Sequence, residues 1–314
     1  MPRMKLYGVR RMDRRHGAGG ISSQPTISCV MLNYHTPEMT AQTVGLFLDA
    51  CSQLGLRSQA IVVDNESSPS EYRVLLSKLN DRCTVVPIRE NLGFARACNV
   101  GMRISTGTYI LLLNSDAYAT PESLRNGLDY LMLHPDAGLW APRLINSDGS
   151  IQASCGRLPS LAWLLREYLL PGRAGLYVGF ENWSEPTRVE VVTGAFMLFP
   201  RSLVLSKVGM LDERFFFNME DVDFCQRLHH AGLDVIYDPR CSVVHDAGRS
   251  QVGVVRRHLG NLQLHRARIE YFRKYWRPRD VLLAKAIMAT GLGLRKAANS
   301  LELCLQKLQV RLRT

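Results

Sequence analysis

The sequence predicts an α/β fold: a mostly parallel central sheet with helices on both faces. Three observations point there. Short apolar runs alternate with helical stretches from residue 27 to residue 134. Polar residues, several of them acidic, fall just past the carboxyl ends of those runs. A later stretch, Phe215-Phe216-Phe217-Asn218-Met219-Glu220-Asp221-Val222-Asp223-Phe224, sets three acids within four positions between aromatic residues.

Ile27 to Asn33 is a short apolar run suited to a buried strand. Tyr34-His35-Thr36-Pro37-Glu38 reads as a turn into a helix, with Thr36 as N-cap and Pro37 at the first helical position. That helix continues to about Leu54. Gln59 to Val63 is the second strand, with Asp64-Asn65 just past its end. Glu71 to Leu79 is helical. Thr84 to Ile88 is a third strand, and Pro87 places it at an edge. Asn91 to Gly101 opens the next helix. Tyr109 to Leu113 is the most apolar strand, ended by Asn114-Ser115-Asp116, and Pro121 to His134 is helical. In sheets of this kind ligands bind beyond the carboxyl ends of the strands, where Asp64 and Asp116 fall.

Residues 136–190 interrupt the alternation, with a helical or looped insertion over Arg157 to Tyr177. The sheet resumes at Glu190 to Phe199, within which Val192 to Phe199, with Thr193-Gly194-Ala195, reads as a small turn followed by a buried strand. Asp223 to Gly232 is a helix with a glycine stop. Val235 to Tyr237 and Ser242 to Val244 are two short late strands, the second ended by His245. From Leu259 the pattern is helical and basic. Three parts follow: an arm over 1–24, a catalytic domain over 25–258, and amphipathic helices over 259–314.

Charge separates these parts. Residues 1–24 carry six Arg or Lys against one Asp, and residues 251–314 carry fourteen against three acids. The chain is +11 as a whole, so the middle is left at −5. Basic ends can meet an anionic membrane or nucleic acid, or be solvated arms. The eight cysteines show no C-x-x-C spacing, which excludes a zinc ribbon or a thioredoxin-like site. They read as free thiols of a reducing cytosol. No secretory leader or membrane-spanning run is expected. The motifs of dinucleotide, P-loop and zincin sites are missing.

The acidic-aromatic stretch has two readings on its own. It is an acidic cap at a helix N-terminus, or a carboxylate pair desolvated by apolar walls, whose raised pKa suits a general base. Asp116 and His245 offer oxygen and imidazole ligands for one hard divalent ion. Each taken singly also reads as a turn cap or a core histidine. Together with Asp64, Thr193-Gly194-Ala195 and Glu220-Asp221 they fall on one side of the predicted sheet.

These pieces, in this order, resemble a family 2 glycosyltransferase with the GT-A fold, in the branch of rhamnosyltransferase-like enzymes. The resemblance is carried by Ser28 to Thr36, Val62 to Asn65, Glu90 to Gly101, Leu111 to Asp116, Thr193 to Ala195, Gly209 to Phe216, Glu220 to Arg227 and Val243 to His245. It implies a nucleotide pocket at Asn33, Tyr34, Thr36 and Asp64, framed by Asn91, Gly93 and Arg96. The D-x-D metal motif stands here as Asn114-Ser115-Asp116: Asn114 would contact the sugar nucleotide, and Asp116 with His245 would hold Mg²⁺ or Mn²⁺. Gly194 and Ala195 would border sugar and acceptor. Asp221 would be the base, paired with Glu220.

The implied reaction is inverting transfer from a UDP- or dTDP-sugar, dTDP-rhamnose among them, to a glycan or lipid-diphosphate-linked acceptor in cell-surface polysaccharide synthesis. A sugar-nucleotide nucleotidyltransferase is the alternative within enzymes, but it wants a Gly-rich loop where Asn33-Tyr34-His35-Thr36 stands. A nucleic-acid-binding protein using its basic ends accounts for the charge and not for the carboxylates, so no nucleic acid partner is expected. The C-terminal helices are too short and charged to span a bilayer. They suit a helix lying on the inner face of the cell membrane, or packing on the catalytic domain or a second subunit in a homodimer.

Overall fold

The computed structural model describes residues 27–79, 81–170, 175–178, 183–246 and 254–311, with side chains between 262 and 294 in the last segment. The basic arm expected over 1–24 lies outside the described residues. The chain divides into two compact units, one of residues 1–157 and 177–267, the other of residues 158–176 and 268–314.

In the larger unit the alternation runs β1 (Ile27–Asn33), α1 (Pro37–Gln53), β2 (Ser58–Asn65), α2 (Pro69–Leu79), β3 (Thr84–Ile88), α3 (Phe94–Ile104) and β4 (Tyr109–Leu113). Then come β5 (Ala117–Tyr118), α4 (Pro121–Leu133), β6 (Ala137–Ile145) and β7 (Cys155–Gly156). The helix α5 (Leu161–Leu169) belongs to the smaller unit. The larger unit resumes with β8 (Tyr177–Val178), β9 (Thr187–Arg188), β10 (Val191–Val192), β11 (Phe196–Pro200), α6 (Arg201–Lys207), α7 (Glu220–His230) and β12 (Asp234–His245). The chain continues into α8 (Val254–Tyr275) and α9 (Pro278–Arg311).

The main sheet has the order β3-β2-β1-β4-β11-β6-β12-β5, with β9 also on β12. The four strands from β3 to β4 are parallel, as the buried apolar runs demand. β11 enters antiparallel to β4 and β6, and β6 and β12 are again parallel. The core is built of Ile27, Met31, Phe47, Val62, Leu111, Leu124, Trp140, Phe196 and Leu198, all buried. The edge place of β3 agrees with Pro87. None of the seven described cysteines is in a disulfide.

Three expectations are corrected. β6 is a long inner strand in a region expected to break the alternation; Gly138 and Pro142 disguise it. Pro142 has no N–H for the ladder, and the register of β12 jumps there, from Asp238 opposite Pro142 to Ser242 opposite Arg143. That bulge also explains why β12, one strand, reads as two. Arg240 on the bulge closes on the buried Asp238, which also accepts from Trp140 Nε1 at 3.1 Å. Finally, Glu190 to Phe199 does not resume one sheet: the expected turn, at Thr193 to Ala195, separates β10, in a small antiparallel sheet of order β10-β7-β8, from β11 in the main sheet.

Candidate active site

At the carboxyl end of β1 and β2, Asn33 and Asp64 are register partners. Asp64 Oδ1 accepts from Asn33 Nδ2 and from Ser67 Oγ, both at 2.6 Å. Thr40 Oγ1 donates to Asn33 Oδ1 at 2.8 Å, so the amide cannot flip without losing a bond. Burial raises the Asp64 pKa, and the two donors oppose it. Thr36 stands at the N-cap of α1 but makes no capping bond. Its hydroxyl instead lies 3.4 Å from that of Ser115, whose carbonyl accepts from Thr43 at 2.6 Å. Tyr34, partly exposed, packs its ring on His35.

The entry to α3 is tied to the same rim. Asn65 Nδ2 donates to Asn91 Oδ1, which also accepts from the Gly93 amide at 2.9 Å. Gly93 has φ +76°, and a Cβ there would stand 2.2 Å from the Phe216 carbonyl oxygen. That oxygen accepts from the Phe94 amide at 2.7 Å, joining α3 to the loop that leads into α7. Arg96 is turned elsewhere: its Nε lies 3.7 Å from Glu213, and the pair is exposed.

After β4 the backbone amide of Asn114 donates to Ala195 O at 3.0 Å. The residue before Ala195, Gly194, donates its amide to Asp221 Oδ2, also at 3.0 Å. The sequence-predicted residues from Thr36 and Ser115 through Asn114, Ala195 and Gly194 to Asp221 are thus one connected set. Asp221 Oδ2 accepts in addition from the Tyr177 hydroxyl at 2.6 Å, and Oδ1 from the Val222 amide at 2.8 Å. α7 starts three residues earlier than its periodicity suggests, at Glu220, after Asn218 and Met219 in left-handed conformation. Two consecutive non-glycine residues there carry backbone strain of a kind that collects at functional sites. Glu220 and Asp221 are both buried. Burial raises both carboxyls, Glu220 well above its ordinary value because Asp221 is also beside it.

Asp116 and His245 are brought together by β5 and β12, where His245 pairs with Ala117. His245 Nε2 lies 3.2 Å from Asp116 Oδ1. Asp116 is 1% exposed, and Oδ1 receives no hydrogen bond among the described residues. Gln152 explains why. Its Nε2 donates to Asn146 Oδ1 and to the His245 carbonyl, so its Oε1 faces His245 Nδ1 at 2.9 Å. Nδ1 then carries the proton, and Nε2 turns a lone pair toward a carboxylate oxygen. Such a pair needs a positive charge on it, a second ring proton or a metal ion, and these two donors fit a hard divalent cation. The described residues hold no group of three or more His, Cys, Asp or Glu ligands, so a cation here would draw its other donors from elsewhere.

Gln152, Ser67 and Tyr177 escaped the sequence reading. Ser67 had a signal, a hydroxyl three residues past a strand-end Asp. Gln152 and Tyr177 lie in the stretch whose strands went unrecognised, and nothing local marks them.

The class of the protein is that of an open α/β sheet with a buried, carboxylate-rich rim at its strand ends. The pattern of glycosyl transferase family 2 matches residues 28–198, and the chain belongs to that family. It is a glycosyltransferase. It is similar to the N-acetylglucosaminyl-diphospho-decaprenol L-rhamnosyltransferase of Mycobacterium tuberculosis, 31% identical over 207 residues that span 60% of this chain and 67% of that one. It also matches the low-salt glycan biosynthesis hexosyltransferase Agl10 of Haloferax volcanii, 27% identical over 69% of this chain and 65% of that one. Among solved structures, the mannosyltransferase PcManGT of Pyrobaculum calidifontis, in complex with GDP-Man and Mn²⁺, superposes with TM-score 0.52 at 19% identity. That match covers 89% of this chain and 76% of that one, and the shared fold is GT-A.

Proposed function

We propose that the enzyme transfers a sugar, with inversion, from a UDP- or dTDP-linked donor to a hydroxyl of a lipid-diphosphate-linked glycan. The observation that carries the reading is Asp221: a buried carboxylate at the start of a helix, fixed by three donors, with its pKa raised by burial. A rhamnosyl donor and a polyprenyl-diphosphate acceptor are favoured by the mycobacterial relative, whose name carries both chemistries.

Asn33 and Asp64 would hold the nucleoside, with Tyr34 and Thr36 along the pocket and Asn91 and Gly93 shaping its rim. Asn114 and Ser115 would face the sugar diphosphate, and Gly194 and Ala195 the sugar and acceptor. Arg96, engaged with Glu213, would border the pocket only after leaving that exposed pair. Asp116 and His245 would hold Mg²⁺ or Mn²⁺, which when bound supplies positive charge to the leaving diphosphate. Asp221 takes the proton of the acceptor hydroxyl. The acceptor oxygen bonds to the anomeric carbon, and the bond from that carbon to the diphosphate oxygen breaks, its electron pair leaving with the nucleoside diphosphate. One displacement inverts the configuration. Burial, with Asp221 beside it, raises the Glu220 carboxyl and disfavours a second negative charge next to the base.

The smaller unit supports work at a membrane surface. α9 packs on α5, with Gly291 so close to Tyr168 that a Cβ would meet its carbonyl at 2.5 Å. Arg268 donates to Tyr168 Oη at 2.7 Å and lies over the Trp163 ring. The other side of α9 shows Leu282, Leu283, Leu292 and Leu294 to solvent, and the one charged residue between 281 and 294, Lys285, is half-buried. Arg273, Arg277, Arg279 and Lys285 lie around its N-terminal end. Among the described residues no helix is long and apolar enough to cross a membrane. We read this face as resting on the anionic cytoplasmic leaflet.

The test is Asp221→Asn. A panel of UDP- and dTDP-sugars with Mn²⁺ identifies the donor by release of nucleoside diphosphate. The variant should bind that donor within a few-fold of wild type and lose about 10²–10⁴ in turnover. Near-normal turnover would pass the role to another residue.

A further inference from the structure

Tyr177 lies outside every motif that marks the site in the sequence. It stands on β8, an edge of the small sheet β10-β7-β8, where it pairs with Gly156 of β7. β10, on the other side of β7, runs through Thr193 into Gly194. One small sheet therefore delivers both donors to Asp221 Oδ2, the Tyr177 hydroxyl at 2.6 Å and the Gly194 amide at 3.0 Å. A carboxylate oxygen has two lone pairs, and Oδ2 has both engaged. Oδ1 accepts from the Val222 amide and keeps one lone pair free.

We propose that Tyr177 is a positioning residue of the transfer reaction: its hydroxyl holds Oδ2, turns Oδ1 toward the acceptor hydroxyl and stabilises the ionised carboxylate. This rests on the reading of Asp221 as the base. A donor to the charged form lowers a carboxyl pKa, against burial, which raises it. The other titratable groups around the carboxylate are of a different kind. On α7 they are Glu220, Cys225 and the Asp223–Arg227 ion pair, and on α3 Cys98 lies near Glu220. Among the described residues, Tyr177 is the one titratable side chain that donates a hydrogen bond to Asp221. Burial and the Asp221 charge raise the Tyr177 pKa, so it remains a donor throughout the working range.

The experiment is the pH profile of donor hydrolysis for Tyr177→Phe in the full chain, with the nucleotide sugar turned over fastest in the UDP and dTDP panel. Without the hydroxyl the ionised carboxylate loses a stabilising bond. The acid limb of kcat/KM should move to higher pH by about one pH unit, about tenfold in rate at fixed pH below it. Donor affinity by calorimetry should not change. Incorporation of 3-fluorotyrosine at position 177, a more acidic phenol and stronger donor, should move the limb the opposite way; it keeps the test decisive where the Phe variant folds poorly. An unmoved limb in both proteins overturns the proposal. So does a faster Tyr177→Phe enzyme with an unmoved limb, since the hydroxyl would then obstruct the acceptor position. If Asp221→Asn is inactive while the limb does not move, only the role of Tyr177 is lost. If Asp221→Asn keeps turnover, the base reading falls first.

Discussion

His245 Nε2 faces Asp116 Oδ1 across 3.2 Å, and the buried oxygen has no hydrogen-bond donor among the described residues. The Gln152 contact to Nδ1 holds the ring so that Nε2 is the nitrogen turned to the carboxylate. Asp116→Ala should therefore abolish Mn²⁺-dependent donor binding, and His245→Ala should weaken it less, since the carboxylate carries the charge. Gln152→Ala, which frees the ring to turn, should weaken it about 10–100-fold. Isothermal titration with the donor, with and without Mn²⁺, reads all three. Full turnover in excess EDTA would remove the metal from the reaction.

That pair was legible in the sequence because both residues end apolar runs, and parallel strands put their ends on one side of a sheet. Asn33 and Asp64 were legible for the same reason, and they meet. What periodicity could not supply was the partner across a break. Pro142 hid β6, and with it the register that carries His245 to Asp116. Arg96 was placed by resemblance, and in the structure its charge goes to Glu213, 117 positions away in the chain. Tyr177 acts from a two-residue strand, and Gln152 from a stretch between β6 and β7 that belongs to no strand, so neither has a period to read.

Glu220 offers a stability test of the carboxylate pair. It is 5% exposed, its Oε2 has no hydrogen-bond partner among the described residues, and burial with Asp221 beside it raises its pKa well above 4.5. A carboxyl raised in the folded state binds its proton more tightly there than in the unfolded chain. Its stabilising effect is full below pH 4.5 and is lost as pH rises through the folded value. Glu220→Gln cannot ionise. Its Tm should match wild type near pH 4.5 and exceed it at pH 8 by about 2 °C or more. A Tm difference that is flat with pH would refute the raised pKa.

The two site glycines should behave differently. At Gly93 a methyl group meets the Phe216 carbonyl at 2.2 Å on a left-handed backbone, and the loop it strikes leads directly into Glu220-Asp221. Gly93→Ala should cost about 1–3 kcal/mol of stability and lower turnover as the loop shifts. At Gly194 the nearest atom to an added Cβ, on Asp221, is 3.6 Å away, and φ is not in the left-handed range. Gly194→Ala should stay within about 0.5 kcal/mol in stability and change kinetics only through the sugar pocket. Denaturant melts of both variants decide it, and equal losses would mean that the Phe216 contact is soft.

The membrane reading makes the sharpest demand on the surface of α9. Leu282 is 66% and Leu283 49% exposed, so replacing both with Glu should leave Tm within a degree or two. The same change puts two carboxylates on the apolar face, beside a rim of cations each worth about 1 kcal/mol near an anionic leaflet. Wild-type protein should co-sediment with phosphatidylglycerol vesicles at low salt and be released in large part at high salt. The Leu282→Glu, Leu283→Glu protein should stay in the supernatant at both. Replacing Arg273, Arg277 and Arg279 with Gln should lower retention at low salt and flatten its salt dependence, because it removes charge and keeps the apolar face. Cleavage of a soluble donor into water should not change in either protein, as the altered residues lie on the smaller unit and the carboxylates on the larger. If the double Glu protein sediments like wild type, the leucine face is not what touches lipid. Should it instead change the mass in solution without changing sedimentation, the face joins two copies of the chain.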